Sequence, residues 1–398
     1  MFQASLSHQF DIAVEQVVVV TSGVAGGVIN DFAGGVDKSI PDALLASVGV
    51  DGSFNLIRSR GSAEGKVCGK CEFTCQVTDL FKFALHKAIV VILAQGKWEF
   101  GRLETLVLRE VTVRIATWNV NSIRTRLNRV TAFLEREHID VLAMQEIKCR
   151  NDQFPTAAFE TAGYQVFVNG LNQWNGVAVA VRQGISAHLL GTEFYGAIAQ
   201  PYFSVPPKPP QLEPRVLGVR VAGVECWSLY VPNGREVGHP HYQYKLKWLD
   251  SLRSHVIRAL DTDPESLGLY LGDFNVAPRD EDVWDMADFA GATHVSEPER
   301  QVFAKLLDPD TVADAVTLHD DLIAGLPGNL TEITRQFAPG WTYWDYQRAR
   351  WRRNQGMKID FALATPRLVS RVTGAFIDTA ERDGEQPSDH APVVVDFE

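Results

Sequence analysis

From residue 113 onward the chain alternates short aliphatic runs with longer stretches of helical period. Residues 113–117, 140–144, 164–168, 176–181, 225–231, 267–271, 358–363 and 393–397 are rich in Val, Ile, Leu and Ala and are bounded by Gly, Pro, Asn or Asp, the pattern of strands. Residues 125–137 place Leu127, Val130 and Leu134 on one stripe, and residues 241–260 do so with Leu249, Leu252 and Val256; each is predicted to be an amphipathic helix. Lys245 and Lys247 fall off the second stripe and read as a solvated face. Ser296-Glu297-Pro298-Glu299 opens a further helix, with Pro298 suited to its first turn. Residues 280–288 read as a loop and short helix, and 201–214 as a proline-rich surface excursion. Strand, helix, strand across 113–144 is a crossover unit whose strands end at the same sheet edge, so the class is α/β.

Residues 1–112 show no sustained period of either kind, only Gly-rich pieces and scattered Asp and Lys. Cys68, Cys71 and Cys75, with His86 beyond them, lack the second paired knuckle of a zinc module and read as incidental thiols. The expected division is therefore an N-terminal extension over 1–112 and one large domain over 113–398. The break at Val113 raises a further expectation, that translation begins near there from a valine-type start codon. Peptides from before Val111 recovered from cells would end it.

Charge and cysteine content narrow the class. The 398 residues carry a formal charge of −11, which argues against a general polyanion-coating role. It admits a nuclease, because a metal neutralises the carboxylates such an enzyme gathers. Five cysteines in no regular framework point to a reducing compartment. Residues 1–20 lack a basic region and the apolar run 88–94 is too short to span a bilayer, so a soluble, cytoplasmic protein without membrane association is expected.

The residues at the strand ends carry the chemistry. Gly272-Asp273-Phe274-Asn275 follows the run 267–271, so Asp273 and Asn275 stand where a rigid strand gives way to a loop, a common place for catalytic groups. Alone it is also ordinary turn chemistry, but the pattern recurs. Asn119-Val120-Asn121 follows 113–117, Gln145-Glu146 follows 140–144, and Tyr230-Val231-Pro232-Asn233-Gly234 closes 225–231. Asn-Gly after Pro is first a turn signal, yet Tyr230 sits at a strand exit with its hydroxyl free to reach a phosphate oxygen. Asp360 lies inside an apolar run, where an unpaired carboxylate is strongly unfavourable. His390, in Ser388-Asp389-His390-Ala391-Pro392, is its natural partner, since a carboxylate orients an imidazole and raises its basicity. Gly340-Trp341-Thr342-Tyr343-Trp344-Asp345-Tyr346 runs into Arg348, Arg350, Arg352 and Arg353. Some of these rings belong to a core, but aromatics leading into clustered arginines also fit a nucleic-acid contact.

These motifs, in this order and spacing over 113–398, resemble the endonuclease/exonuclease/phosphatase superfamily. Trp118-Asn119-Val120-Asn121-Ser122-Ile123-Arg124, the Tyr230 to Gly234 stretch, Trp344-Asp345-Tyr346 and Gly356-Met357-Lys358-Ile359-Asp360 are similar to the exonuclease III branch of apurinic/apyrimidinic (AP) endonucleases. The resemblance implies a four-layer α/β sandwich: two mixed sheets face to face, helices outside, active site at one end. It implies Glu146 as the principal Mg2+ ligand, with Mn2+ the alternative ion, and Asn119 and Asp389 supporting the metal or the phosphate. Asp273, held by Asn275, would align or activate water or serve the leaving group; His390, oriented by Asp360, would polarise the phosphate; Tyr230 would touch the phosphate or the departing oxygen. Asn121, Arg124, Asn233, Tyr343, Trp344, Arg350, Arg352 and Arg353 are expected on the DNA side. Asn121 stands where relatives carry an acid, which counts against a second metal there.

The implied activity is that of a monomeric DNA-repair nuclease, cutting at abasic sites, degrading duplex DNA 3′→5′ and removing 3′ blocking groups. The competing reading is a superfamily phosphoesterase for a lipid headgroup, nucleotide or RNA; the aromatic–arginine stretch favours DNA. A catalytically dead binding protein would have lost Glu146, Asp273 or His390, and all are present. Glu146 and His390 are expected at exposed strand ends, so that replacing either spares the fold.

Overall fold

The computed structural model describes residues 113–194, 196–201, 212–309 and 328–398, and the backbone of four N-terminal strands. Those strands, β1 (Gln16–Val19), β2 (Asp42–Val48), β3 (Phe54–Arg60) and β4 (Lys70–Phe73), form one sheet in that order, within a unit distinct from Phe83–Glu398. The N-terminal stretch thus has strand structure that its sequence pattern does not announce. Cys68, Cys75, His86 and residues 202–211 of the proline-rich excursion lie outside the described residues, and of Cys71 only the backbone is described.

The larger unit holds two mixed sheets. One comprises β5 (Val113–Asn119), β6 (Val141–Gln145), β7 (Tyr164–Asn169), β8 (Val177–Arg182), β15 (Val372–Ile377) and β16 (Val393–Phe397), in the order β15-β16-β5-β6-β8-β7. The other comprises β9 (Ala187–Gly191), β10 (Val216–Val221), β11 (Val224–Tyr230), β12 (Gly268–Asp273), β13 (Thr331–Glu332) and β14 (Asp360–Ala364), in the order β13-β14-β12-β11-β10-β9. Helix α1 (Ile123–Arg136) lays Ile123, Val130, Phe133 and Leu134 against Trp118, Leu142 and Met144 of the first sheet, as its apolar stripe dictates. A short helix, α2 (Thr156–Thr161), adds Phe159 to that layer. Helix α3 (Pro240–Thr262) packs Trp248, Leu249, Leu252 and Val256 onto Trp227, Leu229 and Tyr270 of the second sheet, joined by Val302 and Phe303 of α4 (Glu297–Ala304). Helix, sheet, sheet, helix is the expected four-layer sandwich. The two sheets are stitched where Ser228 Oγ donates to the Met144 carbonyl at 3.1 Å and accepts from Gln145 Nε2 at 3.1 Å.

Strand direction decides where the chemistry gathers. β5 and β6 are parallel across the α1 crossover, and β11 and β12 across α3, so Asn119, Glu146, Tyr230 and Asp273 leave the sheets at one end. β14 runs antiparallel to β12 with Asp360 opposite Asp273, and β16 runs antiparallel to β5 with Val393 opposite Thr117. The starts of these two strands therefore deliver Asp360 and His390 to that same end.

Gly272 makes this edge depend on one missing side chain. Its φ is +152°, and a Cβ built there would lie 1.9 Å from the Leu229 carbonyl oxygen of the neighbouring strand. Since both positions are locked in the ladder, neither backbone can withdraw cheaply. Gly272→Ala is expected to destabilise the protein by about 4 kcal/mol, among the larger single-site losses. A urea unfolding midpoint indistinguishable from wild type would show that the strands yield more easily than this packing allows.

Candidate active site

The strand-end residues form one hydrogen-bonded net. Asn119, fully buried, donates through Nδ2 to Glu146 Oε1 at 2.9 Å and to Asp273 Oδ2 at 3.0 Å. Its own Oδ1 accepts from the Asn121 backbone at 3.0 Å, and Asn121 Nδ2 donates to Asp389 Oδ1 at 2.9 Å. Asp273 Oδ1 accepts from the Asn275 backbone N–H at 2.9 Å, a turn that φ of +52° at Asn275 permits. His390 Nδ1 lies 2.9 Å from Asp360 Oδ2, which also accepts from Thr342 Oγ1 at 2.6 Å. That leaves His390 Nε2 facing Asp273 Oδ2 at 3.8 Å. Ser388 Oγ ties the last segment to the first by donating to the Asn119 carbonyl at 2.6 Å.

Charge in the net is unbalanced toward the acidic side. Burial would raise the Glu146 carboxyl, but Lys148 and the Asn119 amide outweigh it and hold its pKa below the ordinary carboxylate value. Burial, with Asp360 and Glu146 close by, pushes Asp273 up to about 7 against the pull of His390. Burial also opposes charge on His390, yet Asp360, Asp273 and Asp389 outweigh it and push its pKa up to about 10. Burial and the Glu146 charge hold the Tyr230 hydroxyl well above its usual range, and the Arg215 guanidinium covers its ring at 4.5 Å.

Among the described residues, no three His, Cys, Asp or Glu side chains are gathered closely enough to hold an ion by themselves. The Glu146 and Asp389 carboxylates offer oxygen donors and negative charge, the chemistry of a hard cation rather than of a thiolate-type zinc site, and Asn119 supports them by donating to Glu146 through Nδ2.

Asn119, Asn121, Glu146, Tyr230, Asp273, Asn275, Asp360, Asp389 and His390 are thus brought together, with Tyr343, whose ring centroid is 4.8 Å from that of His390, as a wall. Asn121 is engaged on both amide atoms, by Asp389 and by Lys148, so it braces the site. Asn233 reaches Asn275 Oδ1 at 3.4 Å, and exposed Arg124 lies beside the Lys148 carbonyl. Trp344 departs from its expected place on the DNA side: it is 3% exposed, edge-on to Trp351 and beside the Arg382 guanidinium, so it supports the wall from behind. Arg350 lies over the Trp284 ring at 4.0 Å, while Arg352 and Arg353 are exposed. His390, expected at an exposed strand end, is 3% exposed.

Three charged or titratable groups at this edge escaped the sequence reading. Lys148 Nζ lies 2.7 Å from Glu146 Oε2, and only its position two residues past Glu146 hints at that. Lys245, expected on a solvated face, is completely buried and paired with Glu299. His294 brings Nε2 to 3.1 Å from Asn275 Oδ1 and 3.2 Å from Asn233 Nδ2. Burial and then Lys245 push its pKa from 6.5 down to about 4. The unfolded chain therefore takes up this proton first, and stability is lost as pH falls from about 6.5 toward 4. His241, pushed down to about 4 chiefly by burial, adds to the same slope. Urea midpoints measured between pH 7 and 4.5 should fall less steeply in His294→Gln than in wild type, with Asp273, pushed up to about 7, offsetting part of the fall in both; equal slopes would remove His294 from this account.

The sequence profile of the endonuclease/exonuclease/phosphatase family matches residues 116–390, which include every strand end of the net. An exodeoxyribonuclease of Bacillus subtilis is 24% identical over 285 residues, covering 71% of this chain and 98% of the relative. Exodeoxyribonuclease III of Haemophilus influenzae is 25% identical over 290 residues, covering 72% of this chain and all of the relative. Among solved structures, an AP endonuclease from Archaeoglobus fulgidus superposes with a TM-score of 0.57 at 30% identity, over 72% of this chain and 99% of its own. A 3′-5′ exonuclease from Neisseria meningitidis does so with 0.57 at 31%, over 72% and 100%. No described helix is long and apolar enough to cross a membrane. With the profile spanning most of the chain and the strand-end residues converging as they do, the protein belongs to the endonuclease/exonuclease/phosphatase family, in its exonuclease III/AP endonuclease branch.

Proposed function

We propose that this nuclease acts, as a cytoplasmic monomer, on double-stranded DNA: it cuts beside abasic sites, trims 3′ ends and removes 3′ phosphates, with Mg2+ as its ion and Mn2+ able to replace it. The observation that carries the reading is the single net joining Glu146, Asp273 and His390 through Asn119. The names of the relatives support it: one structural neighbour is a Neisseria 3′ phosphatase bound to a product DNA hairpin, 30% identical and covered over 99% of its length. The buried free thiols of Cys149 and Cys226 fit a reducing compartment.

Glu146, with Asn119 and Asp389, would hold the ion, which when bound draws charge from a phosphate oxygen and eases water deprotonation. The chain's own groups do the rest. The His390 Nε2 edge, fixed in direction by Asp360, meets a non-bridging oxygen of the scissile phosphate. Asp273, clamped by Asn119 and the Asn275 N–H, presents a fixed carboxylate to the attacking water. Asn233 and Tyr230 bound the phosphate from the β11 side.

Purified protein with Mg2+, assayed on an abasic-site duplex, a 3′-phosphorylated duplex, RNA, a nucleotide and a phospholipid, tests this. The two DNA substrates should turn over at least about 100-fold faster than the rest; a preference for RNA, nucleotide or lipid would replace the proposal. Arg352 and Arg353, exposed on the turn after the aromatic stretch, are expected to face phosphates. Converting both to Ala should lower the slope of log affinity against log salt by about 1.8, at roughly 0.9 per phosphate contact. An unchanged slope returns them to a solvated surface.

A further inference from the structure

Behind the catalytic edge lies a charged post that no part of the chemistry above uses. Lys245 of α3 and Glu299 of α4 are both wholly buried and paired through Nζ and Oε1. Lys245 Nζ also donates to the Asn275 carbonyl at 2.5 Å and the Asn233 carbonyl at 3.3 Å. Glu299 Oε1 accepts from Thr293 Oγ1 at 2.6 Å and the His294 N–H at 3.0 Å, and Thr293 Oγ1 reaches the Asn233 carbonyl at 3.2 Å. Glu299 Oε2 accepts from the Ser296 N–H at 3.2 Å, closing the capping box of α4. One ammonium thus holds the loop after β11 and the loop after β12 to a common point, and His294 enters between Asn233 and Asn275 from the third loop.

Stability alone does not explain such a pair. Taking two charges out of water costs several kcal/mol each, and hydrophobic or neutral replacements of buried pairs are often tolerated. What an apolar replacement of Lys245 cannot do is satisfy the two inward-pointing carbonyls of Asn233 and Asn275, from separate loops, at once. Both carbonyls belong to loop residues at the catalytic edge: Asn233 reaches Asn275 Oδ1, and Asn275 in turn fixes Asp273 through its N–H. We propose that the Lys245–Glu299 pair is a positioning device that sets Asn233, Asn275 and, through Asn275, Asp273 for catalysis. This rests on the nuclease reading of the same edge.

The test is the full-length double variant Lys245→Met/Glu299→Gln, in which neither charge is left without its partner and glutamine keeps the capping box. Its Tm should stay within about 5 °C of wild type, while kcat on an abasic-site duplex falls about 10- to 100-fold and KM moves far less. Backbone amides at 231–236 and 273–277 should exchange with deuterium faster than in wild type, with those of β5 and β6 unchanged. A variant of wild-type Tm and wild-type kcat overturns the proposal. If the double variant does not fold, Glu299→Gln is read in its place at a temperature where it is fully folded, since it leaves the buried Lys245 charge unpaired and lowers Tm: a roughly tenfold fall in kcat there supports the proposal, and an unchanged kcat overturns it. If wild-type protein does not incise, the nuclease reading falls, and the exchange comparison alone decides whether the post fixes the loops.

Discussion

Glu146→Gln is expected to lower kcat/KM for an abasic-site duplex by about 10³-fold or more, without measurable loss of fold. Glutamine keeps the shape and can still accept from Asn119, so the substitution removes charge alone. The lost charge matters because Lys148 and the Asn119 amide hold Glu146 ionised at the mouth against its burial. Several kcal/mol of charge stabilisation on the reacting phosphate correspond to three or more powers of ten in rate. The fold is spared because Glu146 follows β6 and contributes no core packing; Lys148, its partner, is partly exposed and can turn to water. A loss below tenfold would mean that another group is the principal ligand.

His390→Ala should cost both turnover and stability. Turnover should fall about 10²- to 10³-fold, the usual loss on removing one preorganised donor to a developing charge. The expectation from the sequence, that the fold would be unaffected, does not survive the geometry. Asp360 is 1% exposed, and without the imidazole it keeps only the Thr342 hydroxyl as a side-chain donor. Stranding a buried carboxylate costs about 3 kcal/mol. The double variant His390→Ala/Asp360→Ala should therefore recover much of the urea stability and none of the activity. Equal stabilities of the single and double variants would show that Asp360 relaxes its charge some other way.

The two-layer core and its catalytic edge were legible because burial writes itself into composition. β6 and β12 are buried at every position, so they read as unbroken aliphatic runs, and the sudden Glu146 or Asp273 marks the exit. Other strands lack that signature. β9 is half-exposed with the sequence Ala-His-Leu-Leu-Gly, β13 is two residues long, and β15 is interrupted by Thr373 and Gly374. β10 hides a glycine whose missing side chain makes room for the Trp227 ring, 2.6 Å from where a Cβ would stand at Gly218. Lys245 was unreadable for a different reason. Its partners at 233, 275 and 299 are 12, 30 and 54 residues away, and only the packing of α3 over the strand ends turns a seemingly solvent-facing lysine into a buried one. Trp344 failed the other way, an aromatic in a basic stretch that the core claimed.

The most direct measurement is incision of a duplex bearing one abasic site, followed with Mg2+, then with excess EDTA, then with Mg2+ restored. Separate strand ends meeting in one cation-holding site predict a single cut beside the lesion, its disappearance under chelation and its full return. A cut that persists in EDTA, or a folded protein that leaves the lesion intact at saturating Mg2+, would contradict that assignment.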